Sequence, residues 1–364
     1  QQLAQRQTAN LYRHRRLLNS PQQARVNLSG RNVLAFSSND YLGLASDPRI
    51  TQAFKVAADR YGVGSGASHL ICGHSTEHHL LEEELAAFTG REAAITFSTG
   101  YMANLGVVST LVGKGDLVLE DNLNHASLLD GGLLSGARFQ RYLHADTASL
   151  AQRLAMAGER KLVVTDGVFS MDGDVAPLRE MATVCETHKA WLMVDDAHGF
   201  GVLGECGGGV AEALTLGQQQ LPILMGTLGK AFGTAGAFVC GSQALIDFLV
   251  QFSRPYIYTT AMPPAIAAAT RASLKIVQQE TWRRQNLQSL ITRFRQGAKQ
   301  LGLQLMASQT PIQPLIIGSD ADCMAMGEAL WNDGIHVATI RPPTVPINTS
   351  RLRITINANH SETD

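Results

Sequence analysis

Lys230 stands in Gly226-Thr227-Leu228-Gly229-Lys230-Ala231-Phe232-Gly233, shortly after the apolar run Leu221-Pro222-Ile223-Leu224-Met225. Such a run reads as a buried strand. A lysine delivered from that strand into a glycine turn is partly desolvated and little crowded. Desolvation disfavours the ammonium, which makes the amine a usable nucleophile for a carbonyl. A plain solvated turn lysine has the same local sequence. Earlier in the chain, Val194-Asp195-Asp196-Ala197-His198-Gly199 closes a second apolar strand. A carboxylate at one strand end and a lysine at another match what pyridoxal phosphate (PLP) requires. Its pyridinium nitrogen takes the acid and its aldehyde takes the amine.

Other stretches carry chemistry of their own. Ala93-Ala94-Ile95-Thr96-Phe97 leads into Ser98-Thr99-Gly100-Tyr101-Met102-Ala103-Asn104 and a helix. A strand, a Ser/Thr-Gly turn and a helix start aim free N–H groups and the helix dipole at one spot, which suits a phosphate. An ordinary N-cap by Ser98 or Thr99 reads the same way. Arg351 and Arg353 alternate on one predicted strand and share a face. That arrangement makes a carboxylate clamp or a solvated strand face. His74 and His78 share a helix face, but no His-Glu-x-x-His pattern surrounds them, so a solvated helix start is expected and no metal. Gly199-Phe200-Gly201-Val202-Leu203-Gly204 matches the dinucleotide fingerprint literally. The strand before it ends in Asp-Asp-Ala-His, and the glycines after it open a helix poorly, so it reads as a decoy.

These residues need a scaffold. Short apolar strands at 93–97, 117–121, 161–165, 190–194, 221–225 and 236–240 alternate with helical stretches such as 48–61 and 177–188. Near-continuous apolar strands alternating with helices imply a parallel sheet covered on both faces. In such sheets ligands bind beyond the carboxyl ends of the strands, so the polar turns are candidates for one shared site. Beyond residue 246 the pattern changes to a long helical stretch over 263–300, with Arg283, Arg284, Arg293 and Arg295 expected on exposed faces. Strands near 311–317, 335–340 and 351–357 follow, with a helix around 321–333, as in a small α+β domain. The expected division is an N-terminal segment 1–45, a large α/β domain 46–245 and a small C-terminal domain 246–364.

The 364 residues, 45% of them hydrophobic, are enough for one large and one smaller domain. A net charge of −1 gives no electrostatic case for nucleic acid or an anionic membrane. No apolar stretch approaches a membrane span, and the polar start Gln1-Gln2-Leu3-Ala4-Gln5-Arg6 lacks a signal-peptide core. The start without Met and the abrupt end at Asp364 read as trimmed. Five scattered cysteines fit a reducing, cytoplasmic setting better than a disulfide framework or zinc.

Taken together the turns resemble the α-oxoamine synthase family of fold-type I PLP enzymes, which are aspartate-aminotransferase-like. The motifs are Ser37-Ser38-Asn39-Asp40-Tyr41-Leu42-Gly43, Gly64-Ser65-Gly66, Asp166-Gly167-Val168-Phe169-Ser170-Met171-Asp172-Gly173, the Asp195 and Lys230 stretches, and Tyr258-Thr259-Thr260-Ala261-Met262-Pro263-Pro264. They run in family order over nearly the whole chain. Ile340-Arg341-Pro342-Pro343-Thr344-Val345-Pro346 and Ser350-Arg351-Leu352-Arg353 resemble the alanine-using branch.

The resemblance implies a role at each position. Lys230 anchors PLP covalently and later serves as base. Asp195 pairs with the ring nitrogen, His198 and Ser170 reach the ring hydroxyl side, and His125 stacks on the ring face. Gly100, Tyr101 and Thr227 hold the phosphate, with Thr260 arriving from a second subunit. Arg353 forks onto the amino-acid carboxylate, while Asn39, Thr344 and Arg13 meet the acyl substrate. The implied reaction is decarboxylative condensation of L-alanine with a pimeloyl thioester, of CoA or a carrier protein, for biotin biosynthesis. The implied assembly is a homodimer with interfacial sites. A glycine-using relative such as 2-amino-3-oxobutyrate CoA ligase is the alternative, and an aminotransferase a more distant one. Asp166 stands where relatives often carry Glu, and His69 where some carry Arg, which bears on fine specificity.

Overall fold

The structure, a computed structural model, describes residues 1–8 and 11–364. It separates into two compact units, a smaller one of residues 1–46, 170–174 and 282–364 and a larger one of 47–169 and 175–281. Among the described residues the strands in chain order are β1 (Arg25–Leu28), β2 (Arg31–Phe36), β3 (Ala93–Phe97), β4 (Leu117–Asp121), β5 (Arg138–Tyr142), β6 (Lys161–Asp166), β7 (Trp191–Asp195), β8 (Ile223–Thr227), β9 (Ala237–Gly241), β10 (Ile312–Gly318), β11 (Ile335–Ile340) and β12 (Ser350–Thr355).

The larger unit holds a seven-stranded sheet in the order β3-β9-β8-β7-β6-β4-β5. From β8 to β5 all neighbours are parallel. β9 runs antiparallel to both β3 and β8, so β3 points the same way as the parallel strands. This is the largely parallel α/β sheet the apolar strands predict. Every residue of β4 and β9 is buried, as is β6 after Lys161. Helices supply the covering layer. Ala103, Val107, Val108 and Leu111 of the Gly100–Leu111 helix join Ile95, Val118, Val164, Met193 and Val239 in one core. One consequence positions the chemistry: β3, β4, β6, β7 and β8 all end on one edge, and Asp121, Asp166, Asp195 and Thr227 are the last residues of their strands.

A half-buried acid links helix and sheet here. Glu82, in the Thr76–Thr89 helix, accepts from the Thr96 N–H at 2.8 Å and the Thr96 hydroxyl at 2.7 Å. Burial raises its pKa to about 7 from 4.5, against those two hydrogen bonds. The folded state therefore binds this proton more tightly than the unfolded chain. The resulting stability is full below the unfolded pKa and is lost as pH rises through about 7. Glu82→Gln keeps the acceptor oxygen and removes the titration. Relative to wild type the variant is expected to gain about 2 kcal/mol between about pH 5 and about pH 8. Thermal midpoints at the two pH values measure this; a constant difference would contradict it.

The smaller unit holds a five-stranded sheet, β1-β2-β11-β12-β10. β2 pairs parallel to β11 with Leu34 opposite Ile335, and β12 is antiparallel to both β11 and β10. The expected division at 1–45, 46–245 and 246–364 differs from these units. The N-terminal segment is not separate, because β1 and β2 are strands of the C-terminal sheet. The change of unit falls at 281/282, not 245/246, because Ile246, Leu249 and Tyr256 pack into the core of the large sheet. The helical stretch predicted over 263–300 is two helices, Pro264–Gln279 and Thr281–Gln300. Between them Glu280 leaves helical geometry, and its carboxylate takes Arg49 at 2.5 Å. Arg283 and Arg284, expected on exposed faces, are buried, and Arg283 donates to the Leu42 carbonyl at 2.9 Å.

Candidate active site

Lys230 leaves β8 through a turn closed by Leu228 N–H to Gly236 O and Thr234 N–H to Leu228 O, both 2.9 Å. Gly233 and Gly236 adopt positive φ there, at 66° and 97°. The lysine is half-buried, and its Nζ lies 3.0 Å from His198 Nε2. His198 is three residues past the end of β7. The neighbouring strand end thus delivers a histidine directly to the amine.

Asp195 is buried. Its Oδ1 accepts from Ala197 N–H at 3.0 Å and its Oδ2 from Asn104 Nδ2 at 2.6 Å. Asp196 plays a different part. Its Oδ2 accepts from Val210 N–H at 2.7 Å, and a Cβ on Gly209 would fall 1.9 Å from that oxygen. Asp196 therefore belongs to the glycine turn that resembles a dinucleotide loop, and burial pushes its pKa well up. Asp166 lies opposite Asp195 in the β6–β7 register and accepts from His125 N–H at 2.7 Å. Complete burial, then the Asp195 charge, push its pKa well above the ordinary carboxylate range.

Thr99 caps the helix after β3, its Oγ1 accepting from Met102 N–H at 3.1 Å. The next residue must be small. A Cβ on Gly100 would sit 2.9 Å from both Met225 Cε and Thr227 Cγ2. Glycine thus lets the helix start lie against the end of β8, with the first-turn N–H groups of Gly100 and Tyr101 at the same edge. The Tyr101 hydroxyl donates to Asp130, and Thr227 Oγ1 donates to Ala197 O at 3.4 Å. Thr260 is exposed and pairs with Ser68; its carbonyl takes the Ser98 hydroxyl at 3.4 Å.

His125 caps the Ala126–Ser135 helix that follows β4. Its Nδ1 accepts from Ser127 N–H at 3.2 Å and lies 2.7 Å from Ser127 Oγ. The residue is exposed. Partial desolvation, opposed by Asp195 and helped by the Lys230 charge, holds its pKa below the usual histidine value.

The larger unit therefore brings Lys230, His198, Asp195, Thr227, Gly100, Tyr101 and His125 to one sheet edge. Sequence reasoning assigned no part to Asn104 or Ser127, which link Asp195 to His125. The available signal was a single amide in the apolar helix run around Val107 and Val108.

In the smaller unit Arg353 on β12 is buried. Its Nε donates to Ser170 O at 2.6 Å, Nη1 and Nη2 reach Asn39 Oδ1 at 3.2 Å each, and Nη1 also reaches Thr355 Oγ1 at 3.2 Å. Arg351, on the same strand face, is spent on an ion pair with Asp172. Among the described residues Arg353 has only neutral oxygens around it. A buried guanidinium with no carboxylate partner fits a substrate carboxylate. Ser170 and Asn39 thus come to Arg353, whereas Thr344 and Arg13 are exposed and stand outside its hydrogen bonds.

One further cluster is made of histidines. His69, His74 and His78 approach one another, with His69 Nδ1 to His74 Nδ1 at 2.9 Å. His78 spends both ring nitrogens, Nδ1 accepting from Ser75 N–H at 3.0 Å and Nε2 donating to Met262 O at 2.8 Å, and so works as a helix cap. The helix it caps places Glu82 against β3.

The donor set fits PLP: an amine, a buried carboxylate and a helix start cradled by Gly100 and Thr227. The profile of the aminotransferase class I and II family matches residues 31–364. The chain is 63% identical over 361 residues to the 8-amino-7-oxononanoate synthase of Cellvibrio japonicus, covering 99% of this chain and 91% of that protein. It is 61% identical over 363 residues to that of Thioalkalivibrio sulfidiphilus, covering 99% and 93%. Among solved structures, serine palmitoyltransferase of S. paucimobilis with bound PLP–myriocin superposes with a TM-score of 0.94 at 32% identity, covering 100% of this chain and 92% of that one. The 8-amino-7-oxononanoate synthase of Francisella tularensis superposes with a TM-score of 0.79 at 34% identity, covering 90% and 93%. A PLP-suited sheet edge in a chain this similar over its full length leads to one assignment: the chain belongs to the aminotransferase class I and II family and, within it, to the PLP-dependent 8-amino-7-oxononanoate synthases.

Proposed function

We propose that this chain condenses L-alanine with a pimeloyl thioester to give 8-amino-7-oxononanoate, CO2 and a free thiol, a step of biotin biosynthesis. The observation that carries the reading is the Lys230 amine 3.0 Å from His198, in the same unit as the hydrogen-bonded, buried Asp195. Bound PLP supplies an aldehyde for amines and a pyridinium ring that accepts electrons from a carbon being deprotonated or decarboxylated.

The protein's own residues supply the rest. Lys230 Nζ would hold the cofactor covalently and, once free, would take the proton from alanine Cα as general base. Asp195 would pair with the ring nitrogen and keep it protonated. His198 and Ser170 would hydrogen-bond on the ring hydroxyl side, and His125 would cover the ring face. The N–H groups of Gly100 and Tyr101, with the Thr227 hydroxyl, would bind the phosphate, and Thr260 would complete that site from a second subunit. Arg353 forks onto the alanine carboxylate and fixes which bond at Cα is cleaved, a geometry lysine lacks. Asn39, Thr344 and Arg13 receive the acyl chain, whose thiol carrier is CoA or a carrier protein. A cytoplasmic homodimer with active sites at the subunit interface completes the reading.

Steady-state assays with a pimeloyl thioester test the substrate. Alanine is expected to exceed glycine in kcat/KM by at least about tenfold, the scale of one buried methyl group. A glycine preference would replace this reading with that of a glycine-using relative, and amino transfer to a 2-oxo acid would replace it with an aminotransferase.

A further inference from the structure

We infer that Asn104 and Ser127 are positioning residues, a hydrogen-bond relay that ties His125 to the Asp195 carboxylate and holds the imidazole in its Nε2–H form. The inference rests on the assignment of Asp195 and His125 to the cofactor ring.

Donor counting leads to it. Asn104 is 1% exposed on the Gly100–Leu111 helix. Its Nδ2 lies 2.6 Å from Asp195 Oδ2 and 2.9 Å from Ser127 Oγ. An amide NH2 carries two hydrogens, one for each of these acceptors. The flipped amide would set Oδ1 against the carboxylate, acceptor to acceptor, so the orientation is determined. Asn104 Oδ1 is buried without a hydrogen-bond partner. The side chain leaves an acceptor unsatisfied and uses its full donor capacity, which costs free energy that a purely structural amide would avoid.

Ser127 Oγ accepts from Asn104 and keeps its own hydrogen for His125 Nδ1, 2.7 Å away. The Ser127 backbone N–H also points at Nδ1, at 3.2 Å, and can only donate. Nδ1 therefore holds a lone pair, and the ring proton sits on Nε2. Three other groups face this histidine. Asp195 favours its charged form, Lys230 disfavours it, and Asp166 takes its backbone N–H. Hydrogen bonds into Nδ1 add to the neutral side of that balance. A neutral ring with one outward donor, Nε2–H, is what the relay presents to whatever His125 covers.

Histidine-selective ¹⁵N NMR reads the relay directly, without turnover. The His125 signal is identified by its loss in His125→Gln, and spectra are taken across pH with and without PLP. Wild type is expected to show an Nε2–H ring that stays neutral to lower pH than an ordinary histidine. In Ser127→Ala the His125 titration midpoint is expected to rise by about one unit, with the Nδ1–H tautomer appearing. Asn104→Leu is expected to do the same and to weaken PLP binding about tenfold by equilibrium dialysis. Unchanged midpoint and tautomer in the variants that fold would overturn the relay. Ser127→Ala decides alone if Asn104→Leu does not fold. A wild-type protein that binds no PLP, yet shows the tautomer change in apo spectra, would sink the cofactor reading and leave the relay standing.

Discussion

Lys230→Ala is expected to bind PLP without holding it covalently and to lose condensation activity by about 10⁴-fold or more. Two tasks fall on one nitrogen, so one substitution removes both. On the proposed reading, the amine that anchors the cofactor is also the base that starts carbon–carbon bond formation. The scaffold makes it hard to replace. Nζ is brought to His198 at 3.0 Å by a turn whose backbone is pinned at Leu228, Gly233 and Thr234. A neighbouring lysine would have to enter that turn from another strand end. Lys230→Arg keeps the charge and the length but stays protonated, so it is expected to fail as fully as alanine. The visible absorbance of lysine-bound PLP, with mass spectrometry after borohydride reduction, reads the anchor, and steady-state kinetics reads the base. Activity within tenfold of wild type in Lys230→Ala would reject both roles.

The chemistry was legible before the fold because it is local. A parallel strand buried on both faces must be apolar throughout, so its polar successors stand out. Asp195 and Lys230 were readable as strand-end residues for that reason, whereas parts for His198 and Thr227 came from the family resemblance. Alternating strands and helices likewise implied the parallel sheet that puts those strand ends on one edge. What stayed hidden depends on pairings distant in sequence. β2 lies beside β11 because Leu34 meets Ile335, about 300 positions apart, and no period in either segment announces it. Arg283 looked like a solvated helix arginine until the Leu42 carbonyl was found to receive it. Asn104 and Ser127 are ordinary residues in ordinary helix starts. Only the geometry of Asp195 and His125 distinguishes them.

Arg353→Lys is expected to raise the KM for alanine by about 10- to 100-fold, with kcat lowered less, and Arg353→Ala to go further. The argument is one of charge and shape. Arg351 and Arg353 share a strand face, but Asp172 neutralises the first. The second is held by Ser170 O, Asn39 Oδ1 and Thr355 Oγ1, which orient the guanidinium without cancelling its charge. A guanidinium so held needs little reordering when a carboxylate arrives, and it offers two parallel donors. A lysine at 353 would offer a point charge on a flexible stem, unable to fork and unable to keep all three oxygens satisfied. The loss should therefore appear in substrate binding before it appears in chemistry. PLP affinity, measured in parallel, is expected to stay within about threefold of wild type, a free-energy change below that of one ordinary hydrogen bond. An unchanged alanine KM in Arg353→Lys would place the carboxylate elsewhere.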